Sequence, residues 1–224
     1  MDGEFLIGTP LFRGATAPEA EKMLLCLRAE ERTYKKGEAV YRVGERPTAL
    51  GLVLSGSVHV EHDDLWGNKT LLGRMGPGEL FAETYACLPD EPMMVSVWAA
   101  EDAAVLLLDV GRLLRVCPES CPCHGNLIQN LLAASARKNL HLSRRMLHTA
   151  PKTIRGRLLA YLSDQSGGAR RFDLPLDRQE LADYLGVDRS ALSHALGKLQ
   201  KEGVLAVRKN HFEWRDDSWT SCSN

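Results

Sequence analysis

Side chains able to do chemistry gather in two short stretches of this 224-residue chain. The first, RSALSH at 189–194, sets Arg189, Ser190, Ser193 and His194 on one face if the segment is helical. That face carries a guanidinium fork, two hydroxyls and an imidazole. A fork of this kind donates two parallel hydrogen bonds to a guanine edge, and the other groups have the reach for bases or phosphates. The second, RVCPESCPCHGN at 115–126, holds Cys117, Cys121, Cys123 and His124. Four soft ligands so close together would bind zinc or form a redox pair if the chain bent sharply at Pro118 and Pro122. Their spacing is not a standard zinc pattern, and small buried residues capping the next helix are the alternative. His59 and His62, the candidates for a metal held inside a cupin-like barrel, are three apart, which on a strand puts them on opposite faces. They read as exposed polar positions on a hairpin.

The first stretch must be positioned by its neighbours, LDRQELADYLGVDRSALSHALGKLQKEGVL at 176–205. Leu181, Ala182 and Leu185 recur at helical spacing behind Asp177, whose carboxylate can accept the free amides of a first turn. Gly186 stops that helix and reverses the chain, with Val187 as an apolar plug under the bend. Asp188 starts a second helix. Its stripe of Leu192, Ala195, Leu196 and Leu199 lies opposite Arg189, Ser190, Ser193, His194 and Gly197. The pattern predicts a helix-turn-helix whose second helix enters the major groove of DNA. A strand over Val204–Val207, a basic turn at Arg208, Lys209 and Asn210, and a returning strand over His211–Trp214 add a wing, its tip placed to touch phosphates.

A net charge of −1 would by itself argue against nucleic acid, but the charge is unevenly spread. Residues 1–136 hold 12 Lys/Arg against 19 Asp/Glu, whereas 137–224 hold 16 against 10, so the half with the helix-turn-helix is basic. No apolar run approaches the roughly 18 residues of a membrane span, and MDGEFLIGTP has acids where a signal peptide has bases, so a cytoplasmic protein without membrane contact is expected. Six cysteines, at 26, 87, 117, 121, 123 and 222, are then expected as free thiols. Pro18–Glu31 reads as a short helix. Beyond it the period falls to two, and Glu38–Tyr41, Ala49–Leu54, Ser57–His62, Thr70–Arg74, Met94–Ala99 and Ala104–Leu108 read as strands separated by glycines. Many short strands with regular turn glycines predict an antiparallel barrel or sandwich over residues 33–110.

The order Lys36, Gly37, Glu38, then LSGSV at 54–58, GPGELFAE at 76–83 and the winged helix-turn-helix at 176–214, resembles the cyclic-AMP receptor protein and fumarate-nitrate regulator family over nearly the whole chain. The resemblance implies an α+β fold: an N-terminal antiparallel β-roll of the cyclic-nucleotide-binding, jelly-roll type, a long dimerisation helix and a C-terminal winged helix-turn-helix. On this basis the divisions expected are 1–123, 124–150 and 151–224. The family implies a small molecule sensed at the roll, double-stranded DNA with a palindromic operator, a homodimer and RNA polymerase as a further partner. Arg178 and Gln179 match family positions that touch the DNA backbone, and Arg189 and Ser193 sit where the family reads its half-site. Ser190 and His194 replace a frequent Glu and Arg, so a different operator is expected.

The effector side departs from the pattern. In the family's cyclic-AMP binders an acid holding the ribose is followed, some ten residues on, by an Arg-Ser pair gripping the cyclic phosphate. Here Glu83 matches the acid, but Met93 and Met94 occupy the pair. An unpaired buried phosphate costs on the order of several kcal/mol, so cyclic AMP is disfavoured. The Met pair points to an apolar or soft ligand walled by Tyr85 and Trp98, or simply to residues filling the roll. The family's oxygen sensors carry clustered N-terminal cysteines; here Cys26 stands alone in that region, so an iron-sulfur cluster is disfavoured too. The effector is left unknown.

Residues 126–148 lack proline and glycine and predict a long helix. Leu127, Ile128, Leu131, Leu132, Ser135 and Leu142 lie along one side of it, more apolar surface than one domain covers, which predicts pairing with a second copy; burial against the chain's own roll is the alternative. Pro151 ends the helix and Ile154–Leu162 opens the last domain. The linker SDQSGGARR at 163–171 reads as a surface turn. Together these point to a non-enzymatic, homodimeric bacterial transcription regulator switched by a small-molecule or redox signal, with a constitutive DNA-binding protein as the alternative and a cupin-like metal protein behind it.

Overall fold

The apolar runs ALGLVLS and AAVLLLD, β3 (Ala49–Ser55) and β8 (Ala103–Asp109), form adjacent antiparallel strands with apolar residues on both faces. Alternation sends Leu50, Leu52, Leu106 and Leu108 to one side, where helices cover them, and Val53, Val105 and Leu107 to the other, the interior of the roll. Because of this double burial both segments are continuous apolar runs, without the period of two expected of them. A computed structural model describes residues 3–63, 69–115 and 122–215, with Lys69, Pro122 and Cys123 described by backbone only. The chain divides into two units, residues 1–137 and 138–224.

In the first unit α1 (Gly3–Ile7) and α2 (Ala17–Cys26) precede β1 (Glu30–Tyr34), β2 (Ala39–Tyr41), β3, β4 (Val58–Asp63), β5 (Lys69–Met75) and β6 (Leu80–Phe81); α3 (Glu83–Cys87), β7 (Ser96–Ala99), β8 and α4 (Val110–Leu113) follow. Two four-stranded sheets result, ordered β1-β8-β3-β6 and β2-β7-β4-β5. Between them lies a core of Val53, Val58, Phe81, Met93, Val97, Val105 and Leu107. Phe81 fills much of this space: a Cβ on Gly51 would sit 2.0 Å from its ring, so the strand needs glycine there for the aromatic ring to lie across it.

The six expected strands all form within a few residues of their predicted bounds. In this unit β1 and β6 were unexpected. The helix predicted over Pro18–Glu31 ends at Cys26, and Glu30 and Glu31 open β1 instead. β1 is EERTY, mostly exposed on a sheet edge, and what makes it a strand is its ladder with β8 from Glu30 opposite Leu107 to Tyr34 opposite Ala103, not its own periodicity.

α5 (Pro122–Thr149) is longer than predicted because Pro122 occupies the first helical turn, where its missing amide costs nothing. Its N-terminal part belongs to the first unit, with Leu127 and Leu131 in the core beside Leu6, Phe12 and Leu50, while its last turns belong to the second. There α6 (Ile154–Ser166), β9 (Arg171–Asp173), α7 (Arg178–Leu185), α8 (Arg189–Lys201), β10 (Leu205–Arg208) and β11 (His211–Trp214) surround a core of Leu158, Leu162, Leu181, Leu185, Leu192, Leu196, Leu199, Phe212 and Trp214. The segment read as a surface linker is not one turn. Its first four residues finish α6, Gly167 caps that helix, and Arg171 opens a third wing strand, giving the order β10-β11-β9.

Candidate nucleic-acid interface

Asp177 accepts hydrogen bonds from the amides of Gln179 (2.7 Å) and Glu180 (2.9 Å), and Glu180 returns one by accepting from the Asp177 amide at 2.7 Å. This reciprocal cap fixes where α7 begins. At the other end Gly186 takes φ +63°, which a side chain disfavours, and Val187 packs against the core as the sequence indicated. The last carbonyls of α7 are met by two arginines from other helices. Arg145 of α5 donates to Tyr184 O (3.1 Å) and Asp183 O (3.2 Å), and Arg157 of α6 donates to Leu185 O at 3.1 Å. Both were missed in the sequence, since nothing local marks an arginine whose partner lies 28 to 39 residues away.

α8 buries Leu192, Leu196 and Leu199 and exposes Arg189, Ser190, Ser193 and His194, so the four residues form one solvent-facing surface. Asp188 stands at the start of α8 but makes no side-chain cap there. The Ser193 hydroxyl donates to Arg189 O at 2.9 Å, and what it turns outward is therefore its lone pairs. Arg189 is thus a donor on this face and Ser193 an acceptor. Gly197 lies on the same side, and a Cβ there would meet nothing within 4 Å.

Arg178 and Gln179, expected at the DNA backbone, have intramolecular work. Arg178 donates to Lys209 O at 3.0 Å and stacks 5.2 Å above Phe212, tying the first turn of α7 to the wing. Burial pushes its pKa below the usual arginine value. Gln179 donates to the Asp183 carboxylate at 2.9 Å. Lys209 holds the wing turn with φ +56°, and Arg208 and Lys209 are exposed at the tip.

In the roll, the expected effector residues divide: Tyr85 packs against the cluster that holds Met93 and meets the Met94 amide, while the others are spread over different environments. Glu83 is 5 % exposed in α3, and Met93 is 2 % exposed in the core against Phe81 and Val97. Met94 is 69 % exposed, its amide 3.4 Å from the Tyr85 hydroxyl, so the two methionines do not wall one pocket. Trp98 also departs from the expectation: Val97 points into the roll, and the next residue, by strand alternation, points away, with Arg42 stacked over its ring at 5.1 Å. Burial, with Glu83 adding to it, pushes the Cys87 thiol up, which lowers its thiolate fraction at neutral pH. Cys117 and Cys121 lie outside the described residues, Cys123 is described by backbone alone, and His124 is buried in α5. His59 lies 3.7 Å from Glu61, while His62 faces Met94 O at 3.0 Å, so the two have separate partners. Among the described residues no group of three metal-ligating side chains forms, and no helix is long and apolar enough to cross a membrane.

On α5 the predicted apolar side divides. Leu127 and Leu131 are buried in the chain's own core and Ile128 packs partly against it, which corrects their assignment to a partner-facing stripe. Leu132 and Leu142 are exposed, as are Leu140, Met146 and Leu147, and Ser135 is half-buried.

Residues 31–120 match the cyclic nucleotide-binding domain model, and residues 156–216 match the Crp-like helix-turn-helix domain model. The chain is 30 % identical over 216 residues to the cyclic AMP receptor protein of Thermus thermophilus, covering 93 % of this chain and 94 % of that one. It is 27 % identical to the nitrogen fixation regulation protein FixK of Rhizobium meliloti, over 79 % of this chain and 78 % of the relative. The crystal structure of Thermus thermophilus catabolite activator protein superposes with a TM-score of 0.51 at 27 % identity, covering 95 % of this chain and 97 % of that one. With a roll matching the one model, a winged helix-turn-helix matching the other, and likeness to these regulators over most of its length, the chain belongs to the cyclic-AMP receptor protein/fumarate-nitrate regulator family of DNA-binding transcription regulators, which are not enzymes.

Proposed function

We propose that the protein is a homodimeric, sequence-specific regulator that reads a palindromic operator with two copies of α8. The observation that carries this reading is the surface of Arg189, Ser190, Ser193 and His194, outward-facing on a helix whose apolar side is buried in the core and which follows a capped α7 and a glycine turn. An exposed guanidinium beside an acceptor hydroxyl suits a guanine next to a base with an exocyclic amine, cytosine or adenine, in the major groove. Arg208 and Lys209 at the wing tip supply phosphate contacts that carry no sequence information, and Gln179 is placed at the start of α7 for the same purpose. The exposed Leu132, Leu142 and Met146 on α5 support pairing with a second copy, because a two-fold pair presents two recognition helices to two half-sites. Contact with RNA polymerase follows from the same reading as a further partner.

The roll supports two versions of the switch. In the first, a signal at the roll changes the arrangement of the recognition helices. The second, a regulator that binds DNA without a small-molecule effector, is favoured by Phe81 and Met93, which occupy the interior at 1 % and 2 % exposure. Cyclic AMP fits neither version well, because Met93 and Met94 offer no cation to its phosphate. Selection of bound duplexes from a random pool, with and without small-molecule extract, tests the whole reading. A palindrome enriched only with extract supports the switched form, and one enriched equally in both supports the constitutive form. No enrichment in either overturns the proposal.

A further inference from the structure

The last turn of α5 inserts a histidine into a box of aromatic rings that plays no part in facing DNA. The His148 ring is nearly buried. It meets Tyr161 of α6 edge-on at 5.4 Å between centroids and Tyr184 of α7 at 5.9 Å, and the two tyrosines lie 5.1 Å apart. Its Nδ1 is 2.9 Å from the Tyr184 hydroxyl, and its Nε2 is 3.5 Å from an Asp164 carboxylate oxygen. Of the two neutral tautomers, one satisfies both contacts: Nε2–H directed at Asp164, and the Nδ1 lone pair accepting from the Tyr184 O–H. In a charged ring Nδ1–H would donate to the Tyr184 oxygen, so the hydroxyl would have to reverse its role and turn its own hydrogen away from the acceptor it has in the neutral form, and the charge would sit against two tyrosine rings.

The surroundings set the balance. From α5 come Arg144, Arg145, whose guanidinium lies 5.6 Å from the Tyr184 ring, and His141, edge-on to that ring at 6.2 Å. α6 supplies Asp164 and Tyr161, and α7 supplies Tyr184, the Asp183 carboxylate being turned to Gln179. Burial pushes His148 below its ordinary value of 6.5; Asp164 partly offsets this and Arg144 adds to it. Tyr184 immediately precedes the Leu185–Gly186 turn, and its carbonyl is one of the two that Arg145 holds. The same short piece of chain thus receives both a ring clamp and a backbone clamp from α5.

We propose that His148 is a positioning residue for the helix-turn-helix: the neutral ring, held between Asp164 and Tyr184, seats α7 and through it the recognition helix, and protonation loosens that seat so that DNA binding weakens on acidification. The inference rests on the DNA-binding reading above. The sign follows from linkage. Since the folded chain binds this proton less readily than the unfolded one, the contribution to stability is complete above 6.5 and is lost as pH falls from there through the lowered native value. Exposed histidines on the DNA side act in the opposite direction, because added positive charge favours phosphate, and they are common to all variants compared.

The test uses the full-length protein, wild type, His148→Gln and Tyr184→Phe. Urea unfolding and the Kd for a selected duplex are both followed from about pH 7.5 to about pH 5.5, the span in which a histidine changes charge. The expected result is a loss of wild-type stability across this span that His148→Gln does not share. Its Kd should rise several-fold relative to that of His148→Gln over the same span. Tyr184→Phe, which keeps the rings and removes the hydroxyl, is expected to bind several-fold more weakly than wild type at the upper pH. Parallel Kd profiles for wild type and His148→Gln, or Tyr184→Phe indistinguishable from wild type, overturn the proposal while leaving DNA binding intact. If none of the three binds any selected duplex, the DNA-binding reading itself has failed and this inference falls with it.

Discussion

At the scale of single residues, α8 separates what packing requires from what DNA requires. Leu192, Leu196 and Leu199 are fixed by the core, whereas Arg189 is exposed and nothing in the fold demands an arginine there. If Arg189 grips a guanine, Arg189→Ala weakens binding at the selected operator by about 1–3 kcal/mol and changes binding to random DNA little. Titration of both duplexes at one salt concentration checks this, and an equal loss on both would make Arg189 a phosphate contact. Gly197 is the second case. Glycine inside a helix costs up to about 1 kcal/mol relative to alanine, and here a Cβ would meet open space. Gly197→Ala is therefore expected to raise stability by about that amount in urea unfolding. If the glycine is there to let the DNA backbone come close, the same variant binds DNA more weakly, so the two measurements move in opposite directions.

Among the elements, Arg178 braces the wing to the helix-turn-helix at the start of α7, as Gln200 of α8 does by donating to Val207 O. Arg178 joins the first turn of α7 to the backbone of Lys209 and the ring of Phe212, and its loss removes a hydrogen bond and a cation–π contact together. Arg178→Ala is expected to cost about 1–2 kcal/mol of stability and to speed hydrogen exchange of the β10–β11 amides. It should weaken specific and random DNA alike, because a misplaced wing tip loses phosphate contacts. Arg178→Lys restores the charge but not the fork, so it recovers the salt dependence of binding more fully than the exchange protection. The elements also show how far the sequence was legible. β3 and β8 were found as short period-two segments between turn glycines, and α7, the turn and α8 from caps and spacing. β1, β6 and β9 were missed because strands of EERTY, LF and RFD carry too little pattern of their own, and their partners lie far away in the chain.

For the molecule as a whole, the question is what covers the outer side of α5. Leu132 and Leu142 are 69 % and 64 % exposed, and each would gain about 1.5–3 kcal/mol from full burial. Leu142→Asp is expected to convert a dimer to a monomer in sedimentation equilibrium, since two like charges would meet across a two-fold axis, and to lower affinity for a two-half-site palindrome. A wild-type chain sedimenting as a monomer would remove the basis of the symmetric reading. Composition alone established two halves of opposite charge, and local spacing established the helix-turn-helix, its capped start and the likeness of the whole chain to a regulator family. These signals are short-range, so the sequence carries them intact. Tertiary structure decided the rest: that Leu127 and Leu131 face the chain's own core, that Met93 points inward and Met94 outward, that Arg145, Arg157 and Arg178 spend their charge on backbone carbonyls, and that His148 sits against Tyr184 and Asp164. Each of these depends on contacts between residues distant in sequence. Spacing says which side chains share a face, but only packing says what that face meets.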